Sequence, residues 1–336
     1  MNTSKRGLLS ICCLGYNHAR FIPAALKSMW CIDPSNVEII AVDDGSTDGS
    51  QDLLKTLQKE SPIPMKLILQ ENTGNIGKNF NSALKQARGE FIIFISLDDV
   101  LCSDTVKKYL GNMQKNEKII FTASSECSAI DENNSKIKDV KLPISRKESI
   151  TLQDLLDLDW HFGSFYIQNA ILRKDMVDSI GGFDEDMIGD DIVLRTKLFR
   201  KMIELGKNDF KIIKEPLFSY RLHGTNVHIN TALQIKNVTQ YLERYWPNRE
   251  NPPELYEWIE GAIAHSSYET MWEMLSFNKR ASSVLQSKQI QNVIEKKILQ
   301  KYSWLRFVYR KERINNIRQI TLFSCFSFTY KRKTFE

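Results

Sequence analysis

The chain has 336 residues, 42% of them apolar and 26% charged, with 15 Gly and 9 Pro. That length allows two domains or one large domain with an appendage, and the composition excludes disordered, collagenous and fibrous-repeat chains. Net charge is only +5, no apolar run approaches the roughly 18 to 20 residues of a membrane-crossing helix, and the amino terminus lacks a signal-peptide pattern, so the mature chain is expected to begin at Met1.

Strand-like and helix-like segments alternate through the first hundred residues, the pattern of a parallel α/β sheet. Leu8 to Leu14 reads as a buried strand, and Phe21, Ile22, Ala25, Leu26, Met29 and Trp30 then recur at helical spacing, with Pro23 near the helix start. Val37 to Val42 repeats the strand pattern ahead of a helix striped by Leu53, Leu54 and Leu57. Met65 to Leu69 is the third strand, followed by a helix through Phe80, Ala83, Leu84 and Ala87 that Gly89 stops. Phe91 to Ile95 is the fourth.

Beyond Asp99 the expected elements are a helix over 103–114, a strand over 118–123, a long polar surface loop over 124–149, a helix over 151–158, a strand over 165–172, a helix over 190–205 and a strand over 210–222. From Thr231 onward only helical periodicity remains, with Leu255, Trp258, Ile259, Ala262 and Ile263 as a stripe, so a boundary is placed near 230. The expected division is 1–230, with halves 1–100 and 101–230, and a basic helical region 231–336. Six cysteines without a Cys-x-x-Cys pair fit reduced thiols in a cytosol, with Cys12 and Cys13 on opposite strand faces.

Ligands of an open parallel sheet gather outside the carboxyl ends of its strands. All four strands here deliver polar residues to that rim: Gly15 to His18, Asp43 to Asp48, Asn72 to Asn79, and Asp98-Asp99. Each cluster also has a plain structural reading as a turn or helix cap. Two adjacent acids at the end of an apolar strand are nevertheless costly unless a cation or hydrogen-bond donors compensate them. A hard divalent ion, Mg2+ or Mn2+, is the simplest compensation and brings a nucleotide diphosphate as expected cargo.

Four segments, SICCLGYNHARFIPAALKSM, VDDGSTDGS, ENTGNIGKNFNSALKQARGEFIIFISLDD and GGFDEDMIGDDIVLRTKL, together resemble the family 2 glycosyltransferases of bacterial surface-polysaccharide and O-antigen assembly. The resemblance covers residues 8 to 100 and about 160 to 225. It implies the GT-A fold, a Rossmann-like mixed sheet flanked by helices with a helical carboxyl-terminal extension here, and inverting transfer from a nucleotide sugar, UDP-sugar favoured, to a glycan or lipid-linked glycan acceptor. It places Tyr16 and Asn17 near the nucleoside, Asp43 or Asp44 on the uracil N3–H with Asp44 preferred, and Lys78 and Asn79 near the phosphates. The family's Asp-x-Asp metal motif aligns with SLDDV, so Ser96 occupies the first acidic position and Asp98 and Asp99 hold the cation. Asp191, with Asp190 beside it, is the implied base, and His223 is implied at the metal or diphosphate, assisted by Arg221. Trp160, His161, Phe162 and Tyr166 could stack on an acceptor sugar or simply pack.

A nicotinamide enzyme is disfavoured because the first strand lacks a Gly-x-Gly-x-x-Gly turn. The alternative to catalysis is a nucleotide-sugar-binding protein whose metal site decayed at Ser96. In the last segment, nine basic residues between Lys301 and Glu336 oppose only Glu312 and Glu336 and alternate with aromatics. That suits an anionic membrane surface and not nucleic acid, hence a cytoplasmic protein peripheral to the inner membrane face; a solvated basic helix face is the other reading. The oligomeric state is not legible.

Overall fold

Apolar runs without polar alternation belong to strands covered on both faces, and the chain builds its centre from them. In the computed structural model, residues 4–146, 149–224, 229–301, 309–314, 317–322 and 326–331 are described, with side-chain environments up to residue 299. The order is β1 (Lys5–Gly15), α1 (Ile22–Trp30), β2 (Val37–Asp43), α2 (Ser50–Glu60), β3 (Met65–Leu69), α3 (Ile76–Gln86), β4 (Gly89–Ser96), β5 (Val100–Leu101), α4 (Ser103–Lys115), β6 (Phe121–Ser124), β7 (Glu126–Ile130), β8 (Lys136–Lys141), α5 (Leu152–Trp160), β9 (Ala170–Arg173), α6 (Lys174–Ser179), α7 (Asp191–Glu204), β10 (Phe210–Ile213) and β11 (Phe218–Arg221). There follow α8 (Thr231–Tyr245), α9 (Pro253–His265), α10 (Tyr268–Leu275), α11 (Lys279–Ser283), α12 (Lys288–Lys301), β12 (Tyr309–Ile314), β13 (Ile317–Leu322) and β14 (Phe326–Lys331).

The main sheet runs β10-β6-β9-β4-β1-β2-β3, with β9 antiparallel to both neighbours and the other pairs parallel. Strands β2 and β3 lie on one side of β1 and β4 on the other, so the order reverses between β4 and β1. Ligands of such sheets collect at that reversal. Register sets the height of the rim: Leu14 lies opposite Ser96 and Gly15 opposite Asp43, so three loops leave the sheet at one level. Beneath it, Phe80, Phe94 and Phe183 pack ring against ring with centroids 4.9 to 5.4 Å apart, each almost fully buried. Each such side chain contributes about 1.5–3 kcal/mol by leaving water.

Four expectations need correction. The segment 124–149 is not a loop throughout, because β7 and β8 form an antiparallel hairpin within it. Its outer strand, Lys136–Lys141, is charged and exposed, as suits a sheet edge. Residues 210–222 form two strands in two sheets, since β10 pairs with β6 while β11 joins a second sheet, β5-β11-β7-β8. The strand placed at 165–172 begins only at Ala170, after a 3-10 turn over Ile167–Asn169. Past Lys301 the backbone is not helical in its described parts but forms the antiparallel sheet β12-β13-β14. The side chains of the basic aromatic tail lie outside the described residues.

The chain divides into one compact unit of residues 1–230 and 237–252, which carries both larger sheets, and a second of 231–236 and 253–336. The second has its own core, with Leu255, Ile259, Ala262 and Ile263 of α9, Met271, Met274 and Leu275 of α10, and Ile290 and Ile294 of α12 all buried. Trp258, expected in the α9 stripe, is 42% exposed. The five described cysteines are free thiols, and Cys325 lies outside the described residues. Among the described helices none is long and apolar enough to cross a membrane.

Candidate active site

The first rim loop is stitched to the second by four backbone N–H groups. Asn17 N–H donates to Ser46 Oγ, Thr47 N–H to Asn17 Oδ1, His18 N–H to Ser50 Oγ and Ala19 N–H to Asp48 Oδ2, at 2.8 to 3.2 Å. Asn17 takes a left-handed backbone (φ 55), which asparagine tolerates better than most residues. The loop therefore holds His18 inward and leaves Tyr16 exposed on the rim.

Asp43 and Asp44 are both buried and both heavily engaged. Asp43 accepts from Ser46 N–H, Ser46 Oγ and Gln51 Nε2, closing its own turn. Asp44 accepts from Gln70 Nε2 and Thr73 N–H on Oδ1 and from Gly74 N–H on Oδ2, which fastens the β3–α3 loop. Burial pushes the Asp44 carboxyl up, but these donors and Asn79 outweigh it and hold it below the usual carboxylate range. Asn79 is itself buried, its Oδ1 accepting from Gln70 and Thr73, whereas Lys78 is exposed on the first turn of α3. Gly45 has φ +76, and a Cβ there would lie 2.5 Å from Asn72 N, so only glycine lets the two loops close. Between them lies an open depression of about 500 Å³ lined by residues including Gly45, Gln51, Gln70 and Asn72.

At the reversal of strand order, three chain segments converge. Asp98 Oδ2 lies 2.9 Å from His223 Nε2 and 3.7 Å from His18 Nε2, and one ligand atom from each residue falls within 4.8 Å of the others. Burial raises the Asp98 carboxyl, but the His223 hydrogen bond and the charge of His18 bring it below its ordinary value. His18 is pushed down, by burial first and against the pull of Asp98. Asp98 Oδ1 and His18 Nδ1 are buried without a hydrogen-bond partner among the described residues. Buried polar atoms are seldom left so. An uncoordinated carboxylate oxygen and two imidazoles suit a divalent cation, so the donor set fits one.

Asp99 is not in this group. Its Oδ1 accepts the backbone N–H of Arg221 at 2.9 Å, and burial, then the neighbouring Asp98 charge, raises it well above the usual range. Ser96 donates to the Leu14 carbonyl at 3.3 Å. Arg221 is buried too, and its fork donates to the carbonyls of Asp98 and Asp131 and to Asn134 Oδ1, with its plane 4.9 Å from the Phe21 centroid. It braces the site from within. The His223 ring also packs against Phe21, centroids 4.8 Å apart.

The second acidic group opens α7. Asp190 is the N-cap, and Asp191 is the first helical residue. Asp191 Oδ1 accepts from Ile167 N–H at 3.0 Å and from Arg195, whose guanidinium also pairs with the fully buried Asp159. Burial raises Asp191 to about 7, with Asp190 and Asp159 adding to it and Arg195 opposing. Burial raises Asp190 as well. A carboxyl poised near neutrality is suited to proton transfer.

The aromatic group divides. Trp160 donates from Nε1 to the Glu250 carbonyl, packs against His161 and lies 3.8 Å from the Arg249 guanidinium, so it is a packing residue. Phe162, with φ 68, sits in the turn that ends α5. Tyr166 is 45% exposed, its ring is parallel to that of Tyr220 at 6.3 Å, and it directly precedes the N–H that holds Asp191. Sequence reasoning gave no role to His18, to Arg195 and Asp159, or to Asn81, which clasps both the N–H and carbonyl of Phe183 in the Gly-Gly-Phe-Asp turn. For His18 the available signal was its place on the same rim as Asp98.

Strand order, rim and paired acidic groups define an α/β protein of the nucleotide-diphospho-sugar transferase class. The family model "Glycosyl transferase family 2" matches residues 10–181, more than half of the chain, and the chain belongs to that family. It is a glycosyltransferase. Among curated proteins it is 27% identical over 231 residues to an uncharacterized glycosyltransferase of Nostoc sp., covering 67% of each chain. It is 24% identical over 193 residues to the GalNAc(5)-diNAcBac-PP-undecaprenol beta-1,3-glucosyltransferase of Campylobacter jejuni, covering 57% of this chain and 60% of that one. Among solved structures, S. aureus TarS 1-349 in complex with UDP-GlcNAc superposes with a TM-score of 0.58 at 14% identity, over 94% of this chain and 97% of that one. A mannosyltransferase from Pyrobaculum calidifontis in complex with GDP-Man and Mn2+ gives 0.53 at 16% identity, over 89% and 86%. These superpositions show the GT-A fold.

Proposed function

We propose that this chain moves a sugar from a UDP-sugar to a hydroxyl of a glycan acceptor by single displacement with inversion. The observation that carries the reading is the pairing of two different acidic groups in one unit: Asp98, facing His18 and His223 with an unsatisfied oxygen, and Asp191, raised to about 7. The UDP-GlcNAc of the Staphylococcus structure supports the donor class. The undecaprenol-linked acceptor in the name of the Campylobacter relative supports a lipid-linked oligosaccharide of surface-polysaccharide assembly.

The chemistry follows from the residues. Asp191, as carboxylate, accepts the proton of the acceptor hydroxyl; that oxygen bonds to the anomeric carbon as the bond from that carbon to the diphosphate breaks, and UDP leaves with the electron pair. General-base assistance of this kind contributes about 10²–10⁴ in rate. Arg195 and the Ile167 N–H fix Oδ1 of Asp191, so Oδ2 is the oxygen offered to the hydroxyl. Asp98 and His223 would hold Mn2+ or Mg2+, which when bound neutralises charge on the departing diphosphate. Asp44 and the loop it fastens receive the uracil, and Tyr16 covers the nucleoside.

Incubation with a panel of UDP-, dTDP- and GDP-sugars, Mn2+ and lipid-linked acceptors, read by mass spectrometry, tests the reading. Transfer is expected with a UDP-sugar, lost in Asp191→Asn with UDP binding retained, and lost on chelation. Ser96 favours the second reading, a non-catalytic nucleotide-sugar-binding protein, which the screen supports if UDP-sugars bind and none turns over. The basic tail supports peripheral attachment to anionic membranes; deleting residues 301–336 should then abolish sedimentation with anionic liposomes and spare UDP affinity.

A further inference from the structure

We propose that His18 is a third protein ligand of the cation site, taking the place of the acid missing at Ser96 and turning the site from Mg2+ towards borderline ions such as Mn2+ and Co2+. The inference rests on the reading that a cation binds at Asp98 and His223.

The distances are those of a ligand set. Metal–ligand bonds of roughly 2.1 Å bring neighbouring donor atoms roughly 3 to 4 Å apart. His223 Nε2 and His18 Nε2 stand 2.9 and 3.7 Å from Asp98 Oδ2, and all three donors fall within 4.8 Å. A small contraction around an ion closes the set.

Hydrogen bonding inside the cluster does not account for what is buried there. Asp98 is only 7% exposed, yet among the described residues its Oδ1 has no hydrogen-bond partner, and neither has Nδ1 of His18. Two such orphans within one cluster are costly, about 1–3 kcal/mol each when desolvated and unmet. An ion supplies a partner for the carboxylate, and a ligated imidazole presents its second nitrogen as an N–H donor to a bound oxygen or water.

His18 is also fixed in place before any ion arrives. The N–H groups of Asn17, His18 and Ala19 are tied to Ser46, Ser50 and Asp48. Its ring meets the Phe21 and His223 rings edge-on, with centroids 6.5 and 6.0 Å away. The preference follows from donor chemistry: imidazole suits transition ions, whereas carboxylate, carbonyl and water suit Mg2+. Replacing an acid by Ser96 and adding an imidazole from another loop lowers the site's negative charge and softens it in one stroke.

Metal binding to the full chain, with and without UDP, tests this by calorimetry for Mg2+, Mn2+ and Co2+ and by the Co2+ visible spectrum. His18→Ala should weaken Mn2+ and Co2+ by about tenfold or more and change the Co2+ bands, while Mg2+ affinity moves by less than about threefold. Ser96→Asp should tighten Mg2+ and narrow the Mn2+-to-Mg2+ ratio. Unchanged Co2+ bands and unchanged affinities in His18→Ala, or equal losses for all three ions, overturn the inference. Should His18→Ala fail to fold, His18→Gln and Ser96→Asp supply the same comparison. A wild-type chain that binds none of these ions with UDP overturns the cation reading itself, whereas ion binding lost in Asp98→Asn and His223→Ala but kept in His18→Ala overturns only the role of His18.

Discussion

The backbone N–H of Arg221 donates to Asp99 Oδ1 across 2.9 Å, while Nε of the same arginine donates to the Asp98 carbonyl across 2.6 Å. One residue of β11 thus pins the Asp98 peptide and the Asp99 side chain and gives the neighbouring acids separate duties. Asp99 joins the β4 turn to the second sheet, and Asp98 faces the two imidazoles.

Asp99→Ala should therefore act on stability. It leaves a buried N–H of Arg221 without an acceptor, a loss of about 1–3 kcal/mol, whereas Asp99→Asn keeps an oxygen there and loses less. Asp98→Asn should act on metal affinity and turnover. Urea midpoints beside Mn2+ titrations separate the two; Mn2+ affinity falling equally in Asp99→Ala and Asp98→Asn, at an unchanged midpoint, would refute the division.

The Asp191 carboxyl, raised to about 7 by burial, predicts a pH profile. The base acts only when ionised, so kcat/KM should climb about tenfold per pH unit below that value and level off above it. Arg195 opposes the shift, so Arg195→Gln should move the limb to higher pH, with a separate stability loss because Asp159 then stays buried without its cation. Folding carries the matching sign. From about pH 4 to 7 the folded state keeps a proton on Asp191 that the unfolded chain has released, so stability falls as pH rises across that window. Asp191→Asn should remove that part of the slope. A rate limb that stays where it was in Arg195→Gln would show that another group titrates.

How much of this was legible follows physical lines. Strands β1, β2 and β4 announce themselves because both faces are covered and their runs are mostly apolar, β3 by its short apolar run at the sheet edge, and α1 to α3 because one face is apolar at helical spacing. The β8 edge was hidden by its charges, Lys136 to Lys141 being mostly exposed. The division of 210–222 could not be read, since composition does not say that a chain changes sheets between Ile213 and Phe218. In β14 the signal was present, Phe326, Phe328 and Tyr330 alternating with Ser327 and Thr329, but the surrounding basic residues suggested a helix face. At the site, Asp98 and His223 were legible because each ends a strand-like run. His18 was not assigned because a loop histidine has no periodicity and its partners come from two other loops.

Asp44 was expected to meet the uracil, and its hydrogen bonds narrow how. A carboxylate offers about four lone-pair sites; Gln70, Thr73 and Gly74 hold three here and the Asn79 side chain lies against the carboxylate as well, so a base N–H would enter by replacing Asn79 at one site. A single N–H donor fits that site. Uracil carries one at N3, and cytosine does not. UDP should bind more tightly than CDP by about tenfold, the worth of one charge-assisted hydrogen bond, and Asp44→Asn should erase the difference. Calorimetry with both nucleotides decides it: an Asp44→Asn chain that still prefers UDP reduces Asp44 to a loop fastener.

Tyr166 and Tyr220 supply the last test. Their rings are parallel, and Tyr166 adjoins Asp191 in the fold, since the residue after it donates its N–H to that carboxylate. Sugar faces present C–H groups that settle against aromatic planes, and Tyr166 is half exposed where its stacking partner Tyr220 is more covered. Tyr166→Ala should raise the acceptor KM by about tenfold, one lost aromatic contact of roughly 1 kcal/mol together with its buried area. Donor KM, UDP affinity and the pH limb of Asp191 should hold. Tyr166→Phe should keep most acceptor affinity, since the ring face and not the hydroxyl makes the contact. If Tyr166→Ala instead lowers kcat and displaces the pH limb with acceptor KM unchanged, the ring serves to seat Asp191 and the acceptor lies elsewhere on the rim.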